Sequence, residues 1–362
     1  MNLGPTNKNR GAQINPQNRF ESRSLESDFA DWEYLDENPL AEKDTKTQVL
    51  IDHSKSILTK NNSPDICFTY SVNPYRGCEH GCSYCYARPT HEYLGMNAGL
   101  DFESKILVKI QAPKLLDTEL RRRSWNPEPI AFSGVTDCYQ PLERKYQLTR
   151  QCLEVLLKFR QPAFIISKNI LMLRDLELLK KLVEKNLIHI TLSVTTLDPK
   201  LANVMEPRTP PPAARLKAIR IMRENGIPVS VNIAPIIPGL TDKEIPDILQ
   251  ACAKAGAMSA GHTLLRLPLN VQPIFVNWLE SHYPEKADRV KALQMQMRGG
   301  KMNDANFGSR MRGKGSYAEN IADIFKIFSA KYKLNKWDTE LDSSHFRIPD
   351  DSGQTLLFPE EE

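Results

Sequence analysis

Ile66-Cys-Phe-Thr-Tyr-Ser-Val72 runs directly into Asn73-Pro-Tyr-Arg-Gly-Cys78-Glu-His-Gly-Cys82-Ser-Tyr-Cys85-Tyr86. The first half is rich in β-branched and aromatic residues and reads as a strand. The second half is a glycine-punctuated loop with three cysteines. Working outward, runs of the same kind recur at 130–136 (IAFSGVT), 164–168 (FIISK), 188–196 (IHITLSVTT), 229–237 (VSVNIAPII) and 263–269 (TLLRLPL). Amphipathic stretches separate the later runs, at 146–159, 171–185, 212–225 and 243–256; in the first, Leu148, Cys152, Val155 and Leu156 share one face. Thr209 before Pro210–Pro212 reads as a helix start, and Asn225-Gly226 followed by Pro228 as a helix stop. Strands alternating with helices predict an α/β fold with a parallel sheet and right-handed crossovers. Six such units predict an incomplete (β/α)6 barrel, with a doubly wound open sheet as the alternative. Either way, chemistry sits at the C-terminal ends of the strands, where the cysteine loop stands.

The flanks differ in composition. Residues 1–45 are polar, aperiodic and expected to form a disordered arm. The barrel is expected over 46–270, a helical extension capping it over 271–345, and a flexible tail over 346–362. The 362 residues carry a net charge of +4, with 41% apolar and 25% charged residues. That supports a sizeable core, and the mild basicity alone does not imply nucleic acid. No apolar run approaches the ~18 residues of a membrane span. The N-terminus lacks the apolar stretch of a secretory signal, so a cytoplasmic location is expected.

The seven cysteines are odd in number, and Cys78, Cys82 and Cys85 are too close in sequence for a disulfide framework. Three thiolates on one loop suit three irons of a cubane, leaving the fourth iron open to a substrate. Gly77 and Gly81 let the chain turn tightly around such a group. Two other readings stand beside this one: a zinc site with His80 or His91 as fourth ligand, and three inert buried thiols. Cys67, Cys152 and Cys252 are scattered, so a second cluster has no support.

With Tyr84 as its aromatic, the C-x3-C-x-aromatic-C pattern after a first strand resembles the radical S-adenosylmethionine (SAM) superfamily. The wider run from RGCEHGCSYCYARPTHEYLG (76–95) to PIIPGLTDKEI (235–245) resembles the branch that includes spore photoproduct lyase. The resemblance implies a partial barrel, a [4Fe-4S] cluster and SAM, reductively cleaved to a 5′-deoxyadenosyl radical that abstracts hydrogen from substrate. It implies a reductant such as flavodoxin or ferredoxin, and admits nucleic acid as a substrate. Ser133, Gly134, Thr136 and Asp137, after the second strand, match residues that meet the SAM amino group. Lys168 matches a lysine that reaches the SAM carboxylate, and Ser193 a serine on the same ligand. Asn232 is expected at the same mouth. For Thr136 and Asp137, an Asx turn capping the next helix is the equal alternative. Tyr84 and Tyr86 match two tyrosines that work with a hydrogen-donating cysteine in the lyase; the alternative is packing on adenine and cluster. The donor itself falls on Gly134, and Cys138 lies four residues on. That departure puts thymine-dimer chemistry in doubt.

Three further sites carry charged side chains with two possible uses. Glu206 and Arg208 suit either substrate binding or a structural ion pair with each other. Arg266 suits either an anionic substrate group or a salt bridge to the arm. The loop GSRMRGKGSY (308–317), flanked by Phe307, suits either a phosphate backbone or an ordinary solvated turn.

Overall fold

The structure is a computed structural model that describes residues 9–21, 46–336 and 340–350. Among them, six parallel strands form one sheet: β1 (Tyr70–Val72), β2 (Ile130–Phe132), β3 (Ala163–Ser167), β4 (Ile188–Ser193), β5 (Val229–Ile236) and β6 (Ser259–Leu264). They stand in strict sequence order, β6-β5-β4-β3-β2-β1, with an antiparallel edge strand, Leu58–Lys60, beyond β1. The order never reverses. A doubly wound sheet needs a reversal at its switch point, so that alternative fails. Among the described residues the two sheet edges do not pair with each other.

The crossovers are α1 (Ala112–Leu120), α2 (Leu148–Phe159), α3 (Leu176–Val183), α4 (Pro212–Glu224) and α5 (Ile245–Lys254). Period-two alternation decides the two faces of the sheet. Ile188, Ile190 and Leu192 of β4 join Ala163, Ile165, Val229, Val231 and Ile233 in the main core against the helices. His189, Thr191 and Ser193 therefore face the other way, with Ser230 and Asn232 beside them. The outward face is apolar and the inward face largely polar.

Three sequence expectations need correction. The sixth strand is 259–264, not 263–269. Its first four residues, SAGH, are small or polar and carry no β-branched side chain, so pairing with β5 makes the strand start there. The run 130–136 stops being a strand at Phe132, because Ser133 turns into the left-handed region at φ 73°. The expected arm is docked where it is described. Arg10, Ala12 and Asn18 are buried; residues 1–8 and 22–45 lie outside the described residues.

A second small sheet pairs Gln48–Ile51 and Tyr75–Arg76 with Lys105–Val108. It brackets the cysteine loop. After the sheet, α6 (Val271–His282) and α7 (Pro284–Gln296) pack beside that loop: Phe275, Trp278 and Val290 share a core with Cys82, Tyr84 and Met205. The last helix, α8 (Ser316–Lys331), lies on α5 and β6. Of the expected tail, Phe346 stacks on Phe159 at the end of α2, and Arg347 donates its amide to the Phe159 carbonyl; 351–362 lie outside the described residues. No helix among the described residues is long and apolar enough to cross a membrane.

Candidate active site

The cysteine loop follows β1 and is tied down along its length. The Cys78 amide donates to the Phe102 carbonyl (2.9 Å), and the Ser83 amide to the Met205 carbonyl (3.0 Å). Gln140 reaches over from the strand-two loop to bond the Gly77 carbonyl and the Glu79 amide. Gly77 and Gly81 take φ of 81° and 66°, conformations that favour glycine. Cys78 and Cys82 are buried and Cys85 is half-buried. Burial pushes all three thiols up, and for Cys78 the neighbouring Asp137, Cys82 and Cys85 add to it. Of the histidines named for a zinc site, His80 is engaged elsewhere, and His91 is engaged through one ring nitrogen, its Nδ1 being buried without a partner. His80 lies 3.4 Å from Asp137 and bonds Asn169, and His91 Nε2 bonds the Lys105 carbonyl at 2.9 Å. Among the described residues no three His, Cys, Asp or Glu groups converge on one ion.

The strand-two loop is scaffolding. Ser133 Oγ accepts the Cys138 amide (2.8 Å), and Thr136 Oγ1 donates to the Tyr75 carbonyl (2.8 Å). Asp137 forms the Asx turn, accepting the Tyr139 amide (2.9 Å), and also accepts Ser167 Oγ (2.7 Å) and the Lys168 amide (2.8 Å). Burial alone would raise its carboxyl, but His80 and these donors hold it at about 2. Gly134 presents its carbonyl to the Tyr86 hydroxyl at 2.9 Å. A Cβ at Gly134 would meet Ser71 at 3.0 Å, so the missing side chain opens no space there.

The next strand ends are different. Ser167 pairs with Leu192, so Lys168, one residue on, falls beside Ser193; Ser193 pairs with Asn232, and Asn232 with Gly261. These four form one row across β3–β6. Among the described residues, the side chains of Lys168, Ser193 and Asn232 have no hydrogen-bond partner, and Lys168 Nζ lies 5.6 Å over the Tyr84 ring. Burial pulls the Lys168 ammonium down, but Glu206, Cys82 and Asp137 together outweigh it and hold it above the ordinary lysine value. The cation is kept charged without being neutralised by direct contact.

Glu206 is the buried hub beneath. It accepts from the Tyr84 hydroxyl, Thr195 Oγ1 and Arg215. Burial would raise its carboxyl, but Arg215 and Lys168 hold it at about 2. Its ion-pair partner is Arg215, not the expected Arg208, which pairs with Glu79 at 3.2 Å. Sequence reading missed Arg215, although a signal existed: it sits on the apolar stripe of α4 with Ala218, Ile219 and Met222, and a cation at a core position needs a buried anion. Tyr84 is fully engaged by Glu206, while Tyr86 stays half exposed at the rim. Arg266 stands 5.8 Å over the Tyr86 ring, its Nε buried without a partner, and makes no ion pair among the described residues. Cys138 is fully buried in the main core with Cys152 and Leu153.

Known proteins are similar to this chain. The chain is 38% identical over 242 residues to an uncharacterized protein of Mycobacterium tuberculosis, covering 66% of this chain and 71% of that one. It is 31% identical over 221 residues to an uncharacterized protein of Methanocaldococcus jannaschii, covering 61% and 79%. The fold is similar to spore photoproduct lyase complexed with dinucleoside spore photoproduct, at TM-score 0.60 and 15% identity, covering 80% of this chain and 81% of that one. The family model of the radical SAM superfamily matches residues 72–252, from the end of β1 through most of α5, and the chain belongs to that superfamily as an enzyme of the radical SAM type.

Proposed function

We propose that Cys78, Cys82 and Cys85 each ligate one iron of a [4Fe-4S] cluster, and that SAM binds beside it across the ends of β3, β4 and β5. One observation carries this reading. Lys168, Ser193 and Asn232 line up in a row next to the thiol loop, with polar side chains that the protein itself leaves unengaged. When bound, cluster and SAM supply a one-electron cleavage that yields a 5′-deoxyadenosyl radical for hydrogen abstraction. The chain binds, orients and excludes water. Lys168 offers a charge-assisted bond to the methionine carboxylate. Ser193 and Asn232 offer an oxygen and an amide to the same ligand. Ser133, Thr136 and Asp137 fix the strand-two loop, whose backbone, with the Gly134 carbonyl, forms one wall. Tyr84 supports Lys168 from below, and Tyr86 lines the rim toward the substrate. A flavodoxin or ferredoxin supplies the electron.

The substrate reaction differs from thymine-dimer reversal. The aligned donor position is Gly134, and Cys138 is sealed in the apolar core on the far face of the sheet. A nucleic-acid substrate is a second reading, favoured by Arg266 at the rim and by Arg310 stacked 4.5 Å from the half-exposed Phe307. Reconstituted anaerobically, the protein is expected to hold about four irons per chain and to convert SAM to 5′-deoxyadenosine and methionine. Alanine at Cys78, Cys82 or Cys85 is expected to abolish both. Stoichiometric zinc with no iron uptake would overturn the assignment. Screening small molecules, peptides and oligonucleotides for stimulated 5′-deoxyadenosine formation then tests the substrate class.

A further inference from the structure

Residues 10–19, far upstream of the cysteines, run along the underside of the thiol loop. The Gly11 and Ala12 amides donate to the two oxygens of Glu103, at 3.1 and 2.8 Å, and Arg10 Nη1 donates to the Glu103 carbonyl at 2.7 Å. Glu103 is fully buried, and its other partner is the fully buried Arg88. Arg88 in turn donates twice to the Cys82 carbonyl, at 3.1 and 2.8 Å, and once each to the carbonyls of Ala98 and Gly99. Gly11 touches the loop itself: a Cβ there would fall 1.7 Å from the Gly81 carbonyl oxygen. At the far end, Asn18 Nδ2 bonds the carbonyls of Glu92 and Met96 at 2.9 and 3.0 Å, and Arg19 pairs with Glu92 at 2.7 Å.

We infer that this strap, acting through Glu103 and Arg88, positions the cluster-binding loop and shields the bound cluster. Glu103 is a positioning residue, not a ligand. Its carboxylate fixes Arg88, which fixes the Cys82 carbonyl and so the direction of the Cys82 thiol. Water that reached the Gly81–Ser83 backbone would compete for those bonds, and the strap occupies that approach. The inference rests on the reading of Cys78, Cys82 and Cys85 as cluster ligands, and it assigns a role within the metal site to residues outside the matched family region.

Full-length Gly11→Ala, Glu103→Gln and Asn18→Leu test it, with Cys78→Ala as reference. After anaerobic reconstitution, three quantities are read: iron per chain, the electron paramagnetic resonance spectrum of the reduced cluster, and the half-life of cluster absorbance in air. Partners of metal ligands typically change metal affinity by about 10–100-fold, so Gly11→Ala is expected to shorten the half-life in air by about tenfold and to shift the spectrum. Glu103→Gln keeps one acceptor oxygen, puts an amide NH2 that cannot accept opposite the other strap amide, and removes the charge facing Arg88; it is expected to shift the spectrum and to shorten the half-life. Asn18→Leu frees only the far anchor and is expected to change the half-life by a few-fold; it keeps the question answerable if Gly11→Ala fails to fold. Wild-type spectra and half-lives in Gly11→Ala and Asn18→Leu would overturn the strap's role. Undiminished iron in Cys78→Ala would instead overturn the ligand assignment beneath it.

Discussion

The loop after β2 and the row across β3–β5 both carry polar residues in a repeating fold, yet they are built for opposite purposes. In the loop, Ser133, Thr136 and Asp137 each have their side-chain oxygens taken by the protein's own backbone or side chains. In the row, Lys168, Ser193 and Asn232 have none taken among the described residues. The polar atoms of the row are not sealed from water, so an arriving ligand can take them without breaking a bond within the protein. The difference teaches that engagement, more than residue type, separates scaffold from ligand site. It also yields a double dissociation: scaffold substitutions should lower stability, and row substitutions should lower SAM affinity.

The largest effect is expected at Asp137. Asp137→Ala removes the acceptor shared by Ser167, Tyr139 and the Lys168 amide. Each donor left unsatisfied costs about 1–3 kcal/mol, so the urea midpoint of the cluster-free protein should fall sharply. An unchanged midpoint with reduced SAM binding would move Asp137 into the row and dissolve the contrast.

His189 sharpens the same contrast from the inward face. Its Nε2 bonds Ser230 Oγ at 2.8 Å, and burial lowers its imidazole from 6.5 to about 4. The folded state therefore binds fewer protons than the unfolded chain between those values. No stability is lost above pH 6.5; loss grows as pH falls and levels off below about 4, reaching at most about 3 kcal/mol. His189→Gln should flatten thermal stability across that window. A wild-type slope in the variant would place the acid sensitivity elsewhere.

Lys168→Ala is the counterpart on the row. The lost contact to a carboxylate is worth roughly 1.5–3 kcal/mol, so SAM affinity of the iron-loaded protein should drop about tenfold or more. The thermal midpoint and iron content should hold. A large loss of stability with intact SAM affinity would make Lys168 the partner of Glu206 alone.

How much of this was legible from sequence follows from the range of the forces involved. Five of the six strands and the crossover helices were readable because their hydrophobic periodicity is local. The sixth was displaced because Ser259 and Gly261 belong to the polar inward face and carry no apolar signal. The thiols were readable because eight residues hold all three. The engagement of Asp137 was not, because its partners Ser167 and Lys168 lie 30 and 31 residues away. The Glu206–Arg208 reading erred for the same reason: the nearer arginine turns to Glu79, and the buried one on α4 supplies the pair. The strap was read as part of a disordered arm because its residues are polar. Their partners, Glu103 and Glu92, are reached only in three dimensions.

The smallest effect, at Ser193, discriminates best. Its neighbours Thr195 and Thr191 supply the controls. Thr195 Oγ1 donates to Glu206 at 2.7 Å and so belongs with the scaffold. Thr191 lies two residues earlier on the same face, one step deeper from the strand end. If SAM lies across the row, Ser193→Ala removes a neutral hydrogen bond worth about 1 kcal/mol, a roughly fivefold loss of affinity with no change in melting. Thr195→Val should do the reverse, destabilising the fold by about 1–3 kcal/mol through the unsatisfied Glu206 oxygen. Thr191→Val should change neither by more than a little, because the ligand is not expected at that depth. Isothermal titration with SAM and melts of the cluster-free variants measure all three. Equal losses in Ser193→Ala and Thr191→Val would mean that the ligand sits deeper than the strand ends, and the row would no longer mark its site.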